Sequence, residues 1–146
     1  MVKPTLIRGG LTADDRGHVS FVNDFDFTGV RRFYQVSNHR EAMVRAWHAH
    51  REEEKWVLAT RGAVLLCCVE IDDWEAPSPD LEIHRFVLSA STPAVVHIPA
   101  GYANGFMTLT PDAAALFFSS SRLEDSVEDD IRFPARLWDP WFVEER

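Results

Sequence analysis

Residues 45–56 read RAWHAHREEEKW, with His48 and His50 one residue apart and three glutamates close behind them. In an extended strand, residues two apart share a face, so the two histidines project together, either into a β-structure or away from it. Two imidazoles inside an apolar barrel are costly unless paired or functional, whereas on the outside they mean little. HxH with a nearby Glu suits a metal-binding barrel, and it equally suits a metal-free enzyme that needs a catalytic base. Strict alternation puts Val44 and Ala46 on the histidine face and Arg45 on the other. Arg45 and His48 then share one site only through a bulge or a partner subunit.

Working outward, short β-rich segments recur between turn residues: HVSFVNDF, VRRFYQVSN, VRAWHAH, KWVLAT, AVLLCCVEI, EIHRFVLS, AVVHIP and AAALFFSSS. Arg32-Phe33-Tyr34-Gln35-Val36 alternates, while AVLLCCV is a continuous apolar run suited to a strand buried on both faces. Thr60-Arg61-Gly62 fits a hairpin, Ala76-Pro77-Ser78-Pro79-Asp80 a surface loop, and Pro99-Ala100-Gly101 a tight turn at a strand end. Only residues 124–131, with Ser126 as a cap, read as a short helix. The pattern predicts an all-β sandwich or barrel, a jelly roll being one solution, in a single domain spanning 1–146. The tail FPARLWDPWFVEER is aromatic enough to pack against the domain or a partner subunit.

The 146 residues bury one core without staples, and the 46% apolar content argues against disorder. No apolar run approaches the ~18 residues of a membrane span, and MVKPTLIRGG lacks the apolar core of a secretory signal, so a soluble cytoplasmic protein is the expectation. Cys67 and Cys68 are adjacent and face opposite sides of a strand, which reads as core thiols rather than a disulfide or metal pair. A net charge of −8 argues against a nucleic-acid partner and leaves a small anionic ligand open, because a pocket needs only a few local cations.

HAHREEE followed by Gly62, and then Pro99-Ala100-Gly101-Tyr102-Ala103-Asn104, resemble the two motifs with which the cupin superfamily holds a metal. Asn104 stands at the last ligand position, where a neutral amide is a weak donor, and seven residues rather than the common number separate Glu54 from Gly62. Over nearly its whole length the chain is similar to the metal-free cupins of the dTDP-4-dehydrorhamnose 3,5-epimerase family. The residues that carry the likeness are Asp15-Arg16-Gly17, Tyr34-Gln35-Val36-Ser37-Asn38, Arg45-Ala46-Trp47-His48, Glu54-Lys55-Trp56-Val57, Val69-Glu70-Ile71-Asp72 and IPAGYANGF. The same segment also resembles the related sugar 3,4-ketoisomerases, which carry both histidines and a tyrosine at the place of Tyr34.

The resemblance implies a cupin jelly-roll barrel with a short C-terminal helical segment, working as a homodimer without metal or other cofactor. It implies epimerisation at carbon 3, carbon 5 or both of a nucleotide-linked, dTDP-type, 4-keto-6-deoxy sugar. The alternatives are 3,4-ketoisomerisation, a metal cupin, or a non-catalytic sugar-binding module. By the same resemblance His48, His50 and Tyr34 are the catalytic candidates, with His48 as base, since an imidazole can take a proton beside a carbonyl near neutral pH. Arg16, Arg45 and Lys55 are expected on the diphosphate and the developing enolate, and Gln35, Asn38, Tyr102 and Asn104 on sugar or base. The position at which the family places its acid tyrosine reads as Phe118, and Asp139 and Asp72 are the candidates for orienting His48. Glu52, Glu53 and Glu54 read as a solvated turn, residues 124–130 as a solvated acidic face, and His97 as pocket wall or structural residue.

Overall fold

Alternating burial along Arg32–Ser37 and unbroken burial along most of Ala63–Glu70 mark the two kinds of strand that the periodicity anticipates. The computed structural model describes residues 2–146. Its strands are β1 (Thr5–Arg8), β2 (Gly10–Asp14), β3 (Gly17–Phe21), β4 (Arg32–Ser37), β5 (Val44–Ala49), β6 (Lys55–Arg61), β7 (Ala63–Glu70), β8 (Ile83–Ser89), β9 (Ala94–Ile98), β10 (Tyr102–Thr108) and β11 (Ala114–Ser119). A six-residue helix, α1 (Leu123–Glu128), and the short strand β12 (Ile131–Arg132) follow. Two five-stranded antiparallel sheets, ordered β1-β9-β6-β11-β4 and β12-β5-β10-β7-β8, face each other as a jelly roll, with β2 and β3 forming a separate hairpin.

The space between the sheets is filled by Val57, Val64, Leu66, Cys68, Val96, Phe106 and Phe117 with their neighbours. The outer face of the second sheet carries its own cluster, in which Trp47, Cys67, Val69 and Met107 pack under Phe133, Leu137, Trp138 and Trp141 of the tail. Cys67 and Cys68 thus lie on opposite faces, both as free thiols. Trp47 anchors the tail, its Nε1 donating to the carbonyls of Ala135 (3.2 Å) and Trp138 (3.1 Å). The tail's aromatic rings cover the apolar side chains that this sheet presents on its outer face.

Three local expectations change. Thr60-Arg61-Gly62 is not a hairpin: β6 and β7 belong to different sheets, and Gly62, with φ of 60°, turns the corner between them. A Cβ there would lie 2.1 Å from Thr110 Oγ1, so the corner has no room for a side chain. The helix runs Leu123–Glu128 rather than 124–131, and Ser126 lies inside it instead of capping it. Finally, β10 crosses the middle of the second sheet although its sequence, YANGFMT, has Asn and Gly at its centre, both poor strand formers.

Candidate active site

The histidine strand is irregular where it matters. Along β10, Asn104 pairs with His48 and Phe106 with Arg45, so two steps on one strand match three on the other. This bulge sends both Ala46 and Trp47 to the outer face and brings Arg45 and His48 to the same inner face. It also corrects the strict-alternation expectation, since Val44 and Ala46 pack outside, under the tail. The Ala46–Trp47 peptide within the bulge is cis. Gly105 makes room for the bulge: a Cβ at that position would sit 2.5 Å from Ala46 Cβ.

Arg45 and His48 from β5, with His50 just beyond its end, face Tyr34 and Lys55 from the opposite sheet across a cavity of about 270 Å³. Asn104 lines it too, its Nδ2 donating to the His48 carbonyl at 3.2 Å. Arg32, Phe117, Ser126, Asp130 and Arg132 complete much of the wall, none of them expected at the site from sequence. Four cations, Arg32, Arg45, Lys55 and Arg132, therefore line the cavity against a single lining carboxylate, Asp130, in a chain of net charge −8. The site is locally suited to an anionic ligand or a developing enolate.

His48 is partly buried, and its pKa is lowered to about 4, first by burial and then by the charges of Arg132 and Lys55. At neutral pH it is an uncharged imidazole. The pKa of His50 is likewise lowered, by burial and by Lys55. Its Nδ1 donates to the Asp129 carbonyl at 2.6 Å, which leaves the buried Nε2 as the unprotonated nitrogen. The Asp129 carboxylate accepts the backbone N–H groups of Arg51 (2.7 Å), Glu52 (2.9 Å) and Glu53 (3.0 Å), clamping the turn after the histidines. The acidic run is thus not simply a solvated face, and Glu53 is fully buried rather than part of a solvated turn.

Tyr34 stacks on Phe117 with ring centroids 5.2 Å apart and planes 2° from parallel, and its hydroxyl accepts from Lys55 Nζ at 2.8 Å. Phe118, one residue further on, points to the outer surface of the first sheet, where it packs with Phe25 and Phe27. The phenyl ring that faces the cavity is therefore Phe117, and the sequence assignment of Phe118 is off by one residue, hence by one face.

The remaining expected ligands do not converge. Arg16 sits on the exposed β2–β3 hairpin, paired with Asp14. Gln35 points outward and accepts from Thr60 Oγ1 (2.7 Å). Asn38 lies behind the cavity wall, where its Oδ1 accepts from Arg45 Nε at 2.7 Å, so it aims Arg45. Tyr102 is a core residue, donating to the Val2 carbonyl (3.2 Å), with its phenol pushed up to about 12 by burial and by Glu70. Asp72 and Asp139 bind Ser78 N and Arg136 respectively rather than His48. His97 lies outside the cavity, stacked on Trp56 and bonded to Glu54 Oε1 at 2.8 Å.

No group of three or more His, Cys, Asp or Glu side chains among the described residues is disposed to hold a metal ion. No helix among them is long and apolar enough to cross a membrane. Fold and cavity together define a cupin-like jelly roll with an uncharged imidazole on one sheet facing a phenol and an ammonium group on the other. The chain belongs to the dTDP-4-dehydrorhamnose 3,5-epimerase family, whose model matches residues 5–137. It is an isomerase-class enzyme, an epimerase of a nucleotide-linked 4-keto-6-deoxy sugar.

Among solved structures the chain is similar to the dTDP-4-dehydrorhamnose 3,5-epimerase of Bacillus anthracis with TDP and pyrophosphate bound (18% identity, TM-score 0.77, covering 97% of this chain and 86% of that one). It is also similar to the 3′-monoepimerase of Streptomyces bikiniensis in complex with dTDP-quinovose (21%, 0.68, 84% and 66%). A third is the sugar 3,4-ketoisomerase of Thermoanaerobacterium thermosaccharolyticum in complex with TDP (19%, 0.67, 92% and 91%). At these identities the likeness concerns the fold. No curated protein gives a significant match.

Proposed function

We propose that the cavity inverts a carbon beside the keto group of a dTDP-linked 4-keto-6-deoxy sugar, with His48 as base and Tyr34 as acid. The observation that carries this reading is the placement of His48 and the Lys55–Tyr34 pair on opposing sheets across one cavity. His48 takes the proton from the ring carbon, the electron pair moves onto the ketone oxygen, and the cationic wall stabilises the enolate. Tyr34, whose oxygen accepts from Lys55, keeps its own proton free and delivers it to the carbon from the other side. The tyrosinate left behind is held by Lys55 and reprotonated from solvent, and His48 gives its proton back to solvent.

The test is incubation with dTDP-4-keto-6-deoxyglucose in heavy water, following deuterium at carbons 3 and 5. The wild-type enzyme is expected to incorporate deuterium with inversion and to keep the 4-keto group; a carbonyl found at carbon 3 would instead mean ketoisomerisation. For Tyr34→Phe, inversion is expected to fall about a hundredfold, while deuterium entering recovered, uninverted substrate falls much less. Equal loss of both would remove Tyr34 from the role of acid.

We also read the enzyme as a cytoplasmic homodimer. Phe27 and Phe33, 61% and 69% exposed, stand with Phe25 and Phe118 on the outer face of the first sheet, an apolar patch of the kind a second copy covers. Arg16 on its hairpin would then meet a nucleotide only at a neighbouring subunit's site. Light scattering is expected to return twice the chain mass; a monomer at assay concentration ends this reading.

A further inference from the structure

Glu53 takes no part in the mechanism above, yet its side chain is fully buried and sits directly behind the protonating residues. Its Oε2 accepts the Ser119 hydroxyl at 2.8 Å and lies 3.7 Å from both Lys55 Nζ and an Arg32 guanidinium nitrogen. Those two cations surround Tyr34: Lys55 Nζ bonds its hydroxyl, and the Arg32 guanidinium carbon lies 5.0 Å from its ring centroid. Ser119 ends β11, and Ser119 pairs with Lys55 across the β11–β6 ladder, so the hydroxyl that fixes Glu53 and the ammonium that Glu53 attracts are held in register by the sheet itself. The other oxygen, Oε1, has no hydrogen-bond partner and lies 3.9 Å from His50 Nδ1.

A buried carboxylate so placed is costly unless cations compensate it, and here Lys55 and Arg32 are the cations. The attraction also acts in the other direction. Lys55, only 6% exposed, has a long flexible stem and a compact charge that could swing toward the open cavity. The Glu53 carboxylate draws it back to where its Nζ meets the Tyr34 oxygen.

We propose that Glu53 is the positioning residue of the protonating side, its buried carboxylate holding Lys55 against the Tyr34 hydroxyl. The proposal rests on Tyr34 acting as the acid, and it separates this side of the reaction from proton removal by His48. Without the carboxylate, Lys55 leaves the tyrosine, the phenol loses the donor that stabilises it after transfer, and the enolate is returned more often to its starting configuration.

Two measurements on Glu53→Gln test it. Lys3 and Lys55 are the only lysines in the chain, so a nitrogen-resolved NMR spectrum of the ligand-free protein contains just two side-chain ammonium groups. The buried, hydrogen-bonded Lys55 is expected to give a slowly exchanging signal in the wild type, which Glu53→Gln loses and Glu53→Asp partly restores. In heavy water with dTDP-4-keto-6-deoxyglucose, the ratio of inversion to deuterium wash-in is expected to fall about tenfold in Glu53→Gln. This ratio does not depend on how much of the variant is folded. Should Glu53→Gln fail to fold, Ser119→Ala, which removes the one hydrogen bond to the carboxylate, is expected to lower the same ratio by a smaller factor.

An unchanged ammonium signal together with a wild-type ratio overturns the proposal. Loss of the signal with an unchanged ratio also overturns it, because Lys55 would then be held by Glu53 without consequence for protonation. A wild-type enzyme that neither exchanges nor inverts this substrate ends the substrate reading instead, and the ammonium signal still decides whether Glu53 holds Lys55.

Discussion

Replacing His48 by asparagine is expected to lower deuterium wash-in and inversion together by about 10²–10⁴-fold, because both begin with the same proton removal. This pattern differs from that of Tyr34→Phe, in which the two rates separate. Burial, with Arg132 and Lys55, lowers the His48 pKa to about 4, so the imidazole is already uncharged at neutral pH. A base must be unprotonated to act, so kcat/KM is expected to hold steady from neutral pH downward and to fall only as the pH drops through about 4. A profile that falls through 6.5, the ordinary imidazole value, would show that the working base is not held in this buried, cationic setting. Residual wash-in near the wild-type rate in His48→Asn would remove His48 as the base.

The largest effect on stability is expected from Trp47→Ala. Trp47 is 0% exposed, packs edge-to-face on Trp138 and tilted against Trp141 with centroids 5.4 and 5.1 Å away, and ties the tail with its indole N–H. Removing a buried tryptophan costs about 3–5 kcal/mol through lost transfer free energy and the cavity left behind. Urea unfolding is expected to return a loss in that range. Its residue number also predicts a second consequence: Trp47 sits in the bulge beside His48, so the surviving folded protein should bind nucleotide less well. A loss below about 1 kcal/mol would mean that the site collapses or that the tail contributes little.

Period-two patterning made most of the fold legible, because a half-buried strand writes its two faces into alternate letters. The reading of Arg32 to Val36 rests on that signal, as does the opposition of Cys67 and Cys68, whereas AVLLCCV was legible as an unbroken apolar run buried on both faces. The same signal fails wherever a strand leaves strict alternation. At β5 it put Val44 and Ala46 on the wrong face, because the extra residue of a bulge shifts every side chain before it. At β11 the choice between Phe117 and Phe118 turned on a single register step that two adjacent phenylalanines cannot reveal. β10 was missed because Asn104 and Gly105 answer to the site and the bulge rather than to strand propensity.

The site was legible in part, through its histidines, Tyr34, Arg45, Lys55 and Asn104. Arg32 and Arg132 were not, since an arginine on a strand looks the same whether it lines a cavity or faces solvent. Glu53 was misread for a similar reason. Three consecutive glutamates suggest a solvated turn, and only tertiary structure reveals that the middle one is enclosed by Arg32, Lys55 and Ser119. One hint was present: a lysine opening an apolar strand segment such as Lys55-Trp56-Val57-Leu58 calls for a nearby carboxylate if it is buried.

The clamp made by Asp129 has a bearing on how the molecule is assembled. The turn that carries His50 is joined to a residue 79 positions later, through a carbonyl on the imidazole and a carboxylate on three amides. Contacts between such distant parts of a chain form slowly, because the intervening segment must first be ordered. During synthesis from the N-terminus the jelly-roll strands through β11 emerge before the segment containing Asp129, so a nascent barrel already owns both histidines without their restraint. Restraint of the cavity's histidine face then arrives with the segment after β11 rather than with the core, and a chain halted before Asp129 would hold that face together only loosely.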